Sequence, residues 1–238
     1  MASYCNTYIF AGIPVEVVHE YSYIAEKCKA YLTKEKPLFT LTLTKEAWQP
    51  DTVGLEAYSF PEGFFEWLAF YRLFCEHLIS QKIIPFHSSA IAVDGEAYLF
   101  TAPSGTGKST HTRLWRQIFG ERAVMINDDK PILKIENGTV MAYGTPWAGK
   151  EGFHNPISAP VKGICILTRG DVNRIERITA STALPKLLLQ THRPQDNNYM
   201  KQLLPTLIEI ANLIPLWRLE CNISEEAAHT SYQAMKNG

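Results

Sequence analysis

The fold of this chain is decided at residues 102–110, which are Ala102-Pro103-Ser104-Gly105-Thr106-Gly107-Lys108-Ser109-Thr110. The stretch departs from the phosphate-loop pattern G-x-x-x-x-G-K-[ST] only at its first position, where Ala102 stands in place of glycine. The apolar run before it predicts a strand, and the run after it predicts a helix that ends at Gly120. Because a phosphate loop requires this order of strand, loop and helix, the sequence predicts phosphate binding here.

The residue types of the loop suit a polyphosphate ligand. Gly105 and Gly107 let the backbone curl so that successive N–H groups face phosphate oxygens. The helix that begins near Lys108 adds its positive N-terminal end, and the lysine ammonium can reach the β- and γ-oxygens. The Ser109 hydroxyl is the kind of oxygen ligand that Mg²⁺ prefers. The predicted nucleotide-binding segment is therefore Ser104, Gly105, Thr106, Gly107, Lys108, Ser109 and Thr110. The alternative is a glycine-rich turn with a solvated lysine.

Two adjacent carboxylates, Asp128 and Asp129, follow an apolar strand 20 residues after Lys108. Carboxylates at a strand end beside a phosphate loop are the arrangement that holds a metal ion. Adjacent residues of an extended chain point to opposite sides, so one aspartate could bind Mg²⁺ while the other faces the acceptor hydroxyl. The alternative is a turn, because residues 127–131 (NDDKP) also have good turn composition.

Composition excludes several classes of protein. A net charge of -1 over 238 residues gives no electrostatic reason to expect nucleic acid or an anionic membrane as a partner. The five cysteines form no C-x-x-C pair, which excludes a disulfide framework and a zinc finger. An odd number of cysteines without paired spacing indicates a reducing compartment. The first residues lack the pattern of a signal peptide. We therefore expect a cytoplasmic chain.

Turn residues divide the chain into its elements. Strands are predicted on both sides of Ala11-Gly12, Asp94-Gly95 and Asn137-Gly138, and residues 161–170 and 174–179 are expected to pair. The helical tail is expected to break at Pro205. We expect a small β-rich N-terminal portion over residues 1–55 and a second domain over residues 56–238. The strand-rich middle with its helical C-terminus indicates an α/β or α+β fold.

Three segments together resemble the HPr kinase/phosphorylase family and, more distantly, ATP-dependent phosphoenolpyruvate carboxykinase. They are His87-Ser88 before the loop, residues 104–109 within it, and Asp128-Asp129 after it. The loop is entered from a β-hairpin and followed closely by the carboxylates, which differs from the Ras-like and ATPase-like order. The resemblance covers about residues 83–135 and continues loosely to about residue 170.

This resemblance implies a P-loop kinase core that uses ATP and Mg²⁺ to phosphorylate a serine hydroxyl. Lys108 would neutralise the transferred phosphoryl group, and Asp128 would be the general base. Ser109 would be a metal ligand, Asp129 would be a metal ligand or a partner of the base, and His87 would lie near the phosphates. The acceptor would be a peptide, a small protein or a small metabolite. The resemblance also makes a homo-oligomer plausible.

The chain departs from the family at two places. Ser88 follows His87 where the family usually has glycine, and the family's later metal-binding glutamate is not recognisable. The nearest candidate segment is residues 144–152 (GTPWAGKEG), in which Glu151 or Lys150 could face the nucleotide and Trp147 could form a lid or be buried.

Arginines offer further candidates. Arg169 ends a predicted strand and could stabilise negative charge in the transition state, whereas Arg116 is expected on a solvated helix face.

Two other functions remain open besides a kinase. One is a non-catalytic nucleotide-binding or accessory module, and the other is a carboxykinase-like enzyme that acts on a small anionic metabolite.

Overall fold

A computed structural model describes residues 3–55, 57–194 and 196–238. Its strands are β1 (Tyr4–Phe10), β2 (Ile13–His19), β3 (Phe39–Thr42), β4 (Ile83–Pro85), β5 (Ser89–Val93), β6 (Glu96–Thr101), β7 (Ala123–Asn127), β8 (Ile132–Glu136), β9 (Thr139–Tyr143), β10 (Ser158–Arg169), β11 (Arg174–Ile178) and β12 (Leu216–Cys221). Its α-helices are α1 (Ser22–Lys27), α2 (Lys45–Trp48), α3 (Glu62–Leu78), α4 (Lys108–Phe119), α5 (Ala180–Leu188), α6 (Asn197–Leu213) and α7 (Glu225–Asn237).

The chain divides into two compact units, Met1–Leu78 and Ile79–Gly238. Helix α3 thus belongs to the first unit, whereas the sequence placed the boundary between residues 55 and 56. Glu56, at which the second domain was predicted to begin, lies outside the described residues. All residues predicted to act on phosphate lie in the second unit.

The first unit contains the small β-rich portion expected from the sequence. Strands β1 and β2 pair antiparallel, and β3 runs parallel to β2. The turn between β1 and β2 has positive φ at both Ala11 (51°) and Gly12 (75°), as a two-residue hairpin of this hand requires. Phe10 packs against Phe70 and Phe74 of α3, with ring centroids 6.1 and 5.1 Å apart. The sheet and α3 therefore share one aromatic core.

The second unit is built on a nine-stranded mixed sheet with the order β4-β8-β9-β10-β6-β5-β7, to which β12 adds beside β10 and β11 beside β12. The long β10 pairs antiparallel with β9 at its start and parallel with β6 and β12 further on. Because β6, β10 and β12 run parallel, their carboxyl ends meet at one edge of the sheet. That edge is where ligands bind in α/β proteins, and the loop at residues 102–107 begins there.

Helices cover both faces of this sheet. Leu187 of α5 and Leu207 of α6 pack into an apolar cluster on one face with Leu99 and Ile164. The opposite face carries a second cluster, in which Trp115 of α4 packs with side chains of β6 and α7. This layering of helices on both faces of a sheet confirms the predicted α/β fold.

Two expectations about elements were wrong. Strand β11 pairs with β12 and not with β10, and Pro205 lies within α6 without ending it. An internal proline costs a helix roughly 3 kcal/mol. Leu203, Leu207 and Ile210 of the same helix are fully or almost fully buried, and burial of each such side chain contributes about 1.5–3 kcal/mol. Packing therefore outweighs the proline.

Within residues 3–55, 57–194 and 196–238, no helix is both long enough and apolar enough to cross a bilayer.

Candidate functional site

The predicted phosphate loop forms a sharp connection between β6 and α4. Gly105 and Gly107 have φ angles of +79° and +123°, which side chains other than hydrogen rarely allow. The first hydrogen bond of α4 runs from the His111 amide to the Gly107 carbonyl (2.9 Å). The amides of residues 108–110 precede it and have no partner within the helix. They are available to an anion, as at other helix N-termini.

Lys108 is folded back over the start of the loop. Its side chain is almost buried, and its Nζ donates a hydrogen bond to the Ala102 carbonyl (3.0 Å). Burial lowers the pKa of Lys108, while the negative charge of Asp129 opposes that effect. The loop lysine and Asp129 therefore act on each other electrostatically.

Asn127, the last residue of β7, shapes the turn that carries both aspartates. Its side-chain oxygen accepts hydrogen bonds from the amides of Asp129 (2.7 Å) and Lys130 (2.6 Å). Its side-chain nitrogen donates to the Thr145 carbonyl (2.8 Å). The fully buried Asn127 thus ties the aspartate turn to the segment 144–152.

Asp128 is buried, and only one of its two carboxylate oxygens has a hydrogen-bond partner among the described residues. Its Oδ1 accepts a hydrogen bond from the Gly149 amide (2.6 Å), and its Oδ2 has no hydrogen-bond partner among the described residues. A Cβ at position 149 would lie 3.3 Å from the Asp129 Cβ and 3.4 Å from Asp128 Oδ2, so glycine leaves room beside the pair. A buried carboxylate oxygen without a partner is costly, and this atom has the capacity to accept a proton or a ligand.

Asp129 faces different partners from those of Asp128, although the two residues lie in a turn and not in the extended chain that the sequence reasoning assumed. Its Oδ1 lies 3.1 Å from His87 Nε2, and its Oδ2 lies 3.7 Å from the Lys130 ammonium. Burial alone would raise the pKa of Asp129, but the His87 hydrogen bond and the charges of Lys130 and Lys108 hold that pKa below its usual value. Asp129 is therefore ionised at neutral pH.

His87 is oriented from two sides. Its Nδ1 lies 2.9 Å from Gln190 Oε1, opposite the nitrogen that faces Asp129. Its backbone amide donates to the Gln190 carbonyl (2.7 Å), and its carbonyl accepts from the Thr101 hydroxyl (2.8 Å). His87 and Ser88 lie directly before β5, which places the imidazole between the end of β6 and the aspartate turn.

Arg169, at the end of β10, contacts the loop itself. Its Nε donates to the Thr106 carbonyl (3.2 Å), and an Nη donates to the Gly105 carbonyl. The Thr106 amide in turn donates to the Pro103 carbonyl (3.3 Å). Arg169 therefore acts on the conformation of the loop through two backbone carbonyls.

The segment 144–152 contacts α4. Glu151 pairs with Arg116 of α4 (3.3 Å). Arg116, which was expected on a solvated helix face, is 28% exposed, and its guanidinium also stacks 4.1 Å above the Phe153 ring. Trp147 is buried. The segment is thus fixed to α4 and to the aspartate turn.

A cavity of about 510 Å³ lies beside the loop. Its walls come from residues 105–107, from Thr110, His111 and Leu114 of α4, from the end of β10, and from residues 221–223 after β12. Ile223 is 78% exposed at its rim. The volume lies within the range of roughly 300–1,000 Å³ that is usual for small-ligand sites.

The structure brings together His87, Lys108, Asp128 and Asp129, together with the loop. Sequence reasoning missed Asn127 and Gln190. An asparagine between a buried strand and two aspartates is a signal for a side-chain-capped turn, so Asn127 could have been found. Gln190 lies 103 residues from its partner His87 and carries no local signal.

Whether a metal ion fits this site depends on the number and kind of oxygen and nitrogen ligands present. Within the described part of the chain, no group of three or more His, Cys, Asp or Glu residues could hold a metal ion. Mg²⁺ at phosphates needs only one or two protein ligands, because phosphate oxygens and waters complete its shell. The orphaned Asp128 Oδ2 and the anionic Asp129 fit that requirement.

Comparison with known proteins gives similarity to solved structures but not to a family model or a curated sequence. No family model matches the sequence, and no curated protein matches it. Among solved structures, the chain is similar to one described as the Hpr(Ser) kinase/phosphatase from Coxiella burnetii. The TM-score is 0.34 at 13% identity, over 65% of this chain and 99% of that one. A similarity at this level carries no argument about what this chain binds or does.

Proposed function

We propose that this chain is an ATP-dependent kinase that transfers the γ-phosphoryl group to a hydroxyl, such as that of serine, in a peptide, small protein or small metabolite. The observation that carries the proposal is the buried Asp128 carboxylate, whose Oδ2 has no hydrogen-bond partner among the described residues. It lies in the turn whose other aspartate acts on the loop lysine Lys108. A protein that only binds nucleotide has no need for an orphaned buried carboxylate, which destabilises the fold.

The donor nucleotide would bind along the loop. Its β- and γ-phosphates would lie on the amides of residues 105–110 and on the Lys108 ammonium. Its nucleoside would enter the 510 Å³ cavity, where Leu114 and Leu167 offer apolar cover. Because Thr110 and His111 line this cavity, the nucleoside would lie beside the first turns of α4.

Mg²⁺, when bound, would neutralise phosphate charge. The Ser109 hydroxyl and Asp129 Oδ2 are the oxygens that would hold it. Asp129 Oδ2 is 3.7 Å from the Lys130 ammonium, too far for a hydrogen bond, so this oxygen can accept a cation while Oδ1 stays with His87.

Asp128 would act as the general base. Its Oδ2 would take the proton of the acceptor hydroxyl as that oxygen forms a bond to the γ-phosphorus. The bond from the γ-phosphorus to the β,γ-bridging oxygen breaks, and ADP leaves with the electron pair. The Gly149 amide holds Oδ1 and thereby fixes the direction of Oδ2. Positioning and charge neutralisation carry most of the catalysis in phosphoryl transfer.

The compartment and partners follow from this proposal. We place the kinase in a reducing cytoplasm, in support of which all five cysteines are free. Its partners would be the nucleotide and a hydroxyl acceptor, and the net charge of -1 supports neither nucleic acid nor an anionic membrane.

Replacing Asp128 with Asn tests the proposal. Asn keeps the size of the side chain but cannot take a proton, so phosphoryl transfer should fall by about 100-fold or more. The affinity for Mg²⁺-ATP should change by less than about threefold. Transfer is measured with radiolabelled ATP and a library of serine-centred peptides plus free serine, and binding is measured by calorimetry.

Asp94→Asn is the matched control. Asp94 lies at the exposed β5–β6 turn with a φ of 53°, a conformation that Asn also accepts, so this variant should behave like the wild type. Normal transfer by Asp128→Asn would show that Asp128 is not the base. Binding of ATP with no transfer by the wild type would favour the nucleotide-binding module.

A further inference from the structure

A second cavity, of about 210 Å³, lies on the other side of the phosphate loop. Its walls are the end of β6, the loop residues Ala102 and Pro103, residues 166–168 of β10, and the segment from Lys186 to Gln190 at the end of α5. It shares only Leu167 and Thr168 with the cavity proposed for the nucleoside. The two cavities therefore have mostly different walls, and an open cavity of about 450 Å³ over residues 103–106 connects them.

This second cavity adjoins the groups that would act on the γ-phosphoryl group. Ala102, in its wall, accepts the hydrogen bond of the Lys108 ammonium (3.0 Å). Gln190, also in its wall, contacts His87 (2.9 Å), which contacts Asp129 (3.1 Å). A molecule in this cavity would thus lie next to the reacting end of the donor.

The chemistry of the cavity is that of a pocket for one apolar side chain. Its surface is almost wholly apolar, and Leu189 stands at its edge with 59% of its surface exposed. Its volume is below the roughly 300 Å³ at which pockets for complete small ligands begin. Covering the exposed leucine with another apolar group would be favourable.

A polar cavity of about 320 Å³ continues from the apolar one and shares Thr168 and Lys186 with it. Its other walls are two cross-strand pairs of β11 and β12, Arg174 opposite Glu220 and Glu176 opposite Arg218. Charges of both signs alternate there. The two spaces together suit an extended chain that has one apolar side chain followed by polar groups.

We propose that the acceptor is a peptide segment in which an apolar residue adjoins the phosphorylated one, and that the cavity beside Leu189 receives that apolar side chain. This inference rests on the proposed kinase function. It makes the cavity at the end of α5 the acceptor-specificity site, separate from the nucleoside cavity beside α4.

Synthetic peptides with a central serine test the inference. One set carries Leu, Ile or Phe next to the serine, and a matched set carries Asp, Lys or Gly there. The wild type should phosphorylate the apolar set with a kcat/KM about tenfold or more above the matched set, because a fitting apolar pocket discriminates by about tenfold or more for each methylene that it covers. Leu189→Asp should reduce that preference to less than about threefold while leaving ATP affinity unchanged. Leu204→Asp is the control, since Leu204 is an exposed leucine of α6 outside the cavity.

Equal phosphorylation of both peptide sets by the wild type would overturn the inference and leave the kinase function intact. If no peptide is phosphorylated, the kinase function is judged by transfer to free serine and other small acceptors, and peptide binding decides the inference. Fluorescent peptides with alanine in place of serine are then titrated in the presence of a non-hydrolysable ATP analogue. Tighter binding of the apolar set, lost in Leu189→Asp, would support the pocket, and equal or absent binding would refute it.

Discussion

Lys108 carries a positive charge into an almost buried position, which is unfavourable without an anionic partner. The Ala102 carbonyl and the charge of Asp129 compensate in part. The remaining donor capacity of the ammonium suits phosphate oxygens, since a lysine ammonium has three donors. The site is thus electrostatically prepared for a polyanion.

At the scale of single residues, we expect Lys108→Ala to weaken binding of Mg²⁺-ATP by about tenfold or more, equivalent to about 1.4 kcal/mol. The reason is the loss of the only loop side chain that carries a positive charge. Calorimetric titration measures the affinity, and Lys108→Met tests whether side-chain volume alone matters. Lys162→Ala removes the same charge from an ion pair of β10 with Glu96 and should bind ATP normally. Unchanged affinity in both Lys108 variants would refute the phosphate-loop assignment.

Residues with local signals were predictable, and residues set by tertiary contacts were not. The glycine and lysine pattern of the loop is visible because backbone conformation and phosphate chemistry restrict those positions. The ion pair between Glu151 and Arg116, which lies 35 residues earlier, had no signal in the sequence. Such a pair depends on how the segment 144–152 meets α4, which no short stretch of sequence encodes.

At the scale of elements, α4 is joined to α7 by a buried polar contact. The Trp115 indole N–H donates to His111 Nε2 (3.2 Å) and to the Ser231 hydroxyl (3.0 Å). Because the indole can only donate, its contact with His111 uses Nε2 as an acceptor, which a neutral imidazole supplies. Burial lowers the pKa of His111 to about 4, in agreement with that geometry.

This contact predicts a pH dependence of stability. Below about pH 6.5 the unfolded chain binds a proton that folded His111 refuses, so the free energy of unfolding falls as the pH drops toward about 4. From about pH 7.5 to about pH 5, His111 should account for a loss of about 2 kcal/mol. His111→Gln keeps an acceptor for Trp115 and should remove that part of the loss in urea denaturation.

The exposed His229 of α7 provides the control for this measurement. His229→Gln should retain the pH dependence of the wild type. An equal pH dependence in the wild type and in His111→Gln would show that His111 takes up its proton in the folded state.

Elements closed by local turns were predictable, and long-range pairing was not. The hairpin turns at Asp94-Gly95 and Asn137-Gly138 have positive φ at both residues, as their sequences indicate. Strand β11 could not be assigned correctly, because its partner β12 lies beyond both α5 and α6 in the chain. The parallel strands β10 and β12 pair across the same separation.

At the scale of the whole molecule, the chain consists of two units with separate cores. The sheet, the loop, the aspartate turn and both cavities are formed by residues of Ile79–Gly238. The sequence predicted a β-rich portion followed by a kinase-like core. The sequence-based prediction assigned α3 to the kinase-like core, because an aromatic, largely apolar helix can pack with the elements on either side of it in the chain.

We therefore expect residues 79–238 alone to fold and to bind Mg²⁺-ATP with an affinity within about threefold of that of the full chain. Its length lies in the usual range for a domain of roughly 50–250 residues, and no residue of the proposed nucleotide site is removed. Thermal unfolding followed by circular dichroism should show one cooperative transition, and calorimetry gives the affinity. The same fragment with Lys108→Ala serves as the control and should lose affinity as the full chain does. A fragment that is unfolded or that aggregates would show that the core of residues 79–238 depends on residues 1–78. A folded fragment without nucleotide affinity would place part of the binding site in the first unit.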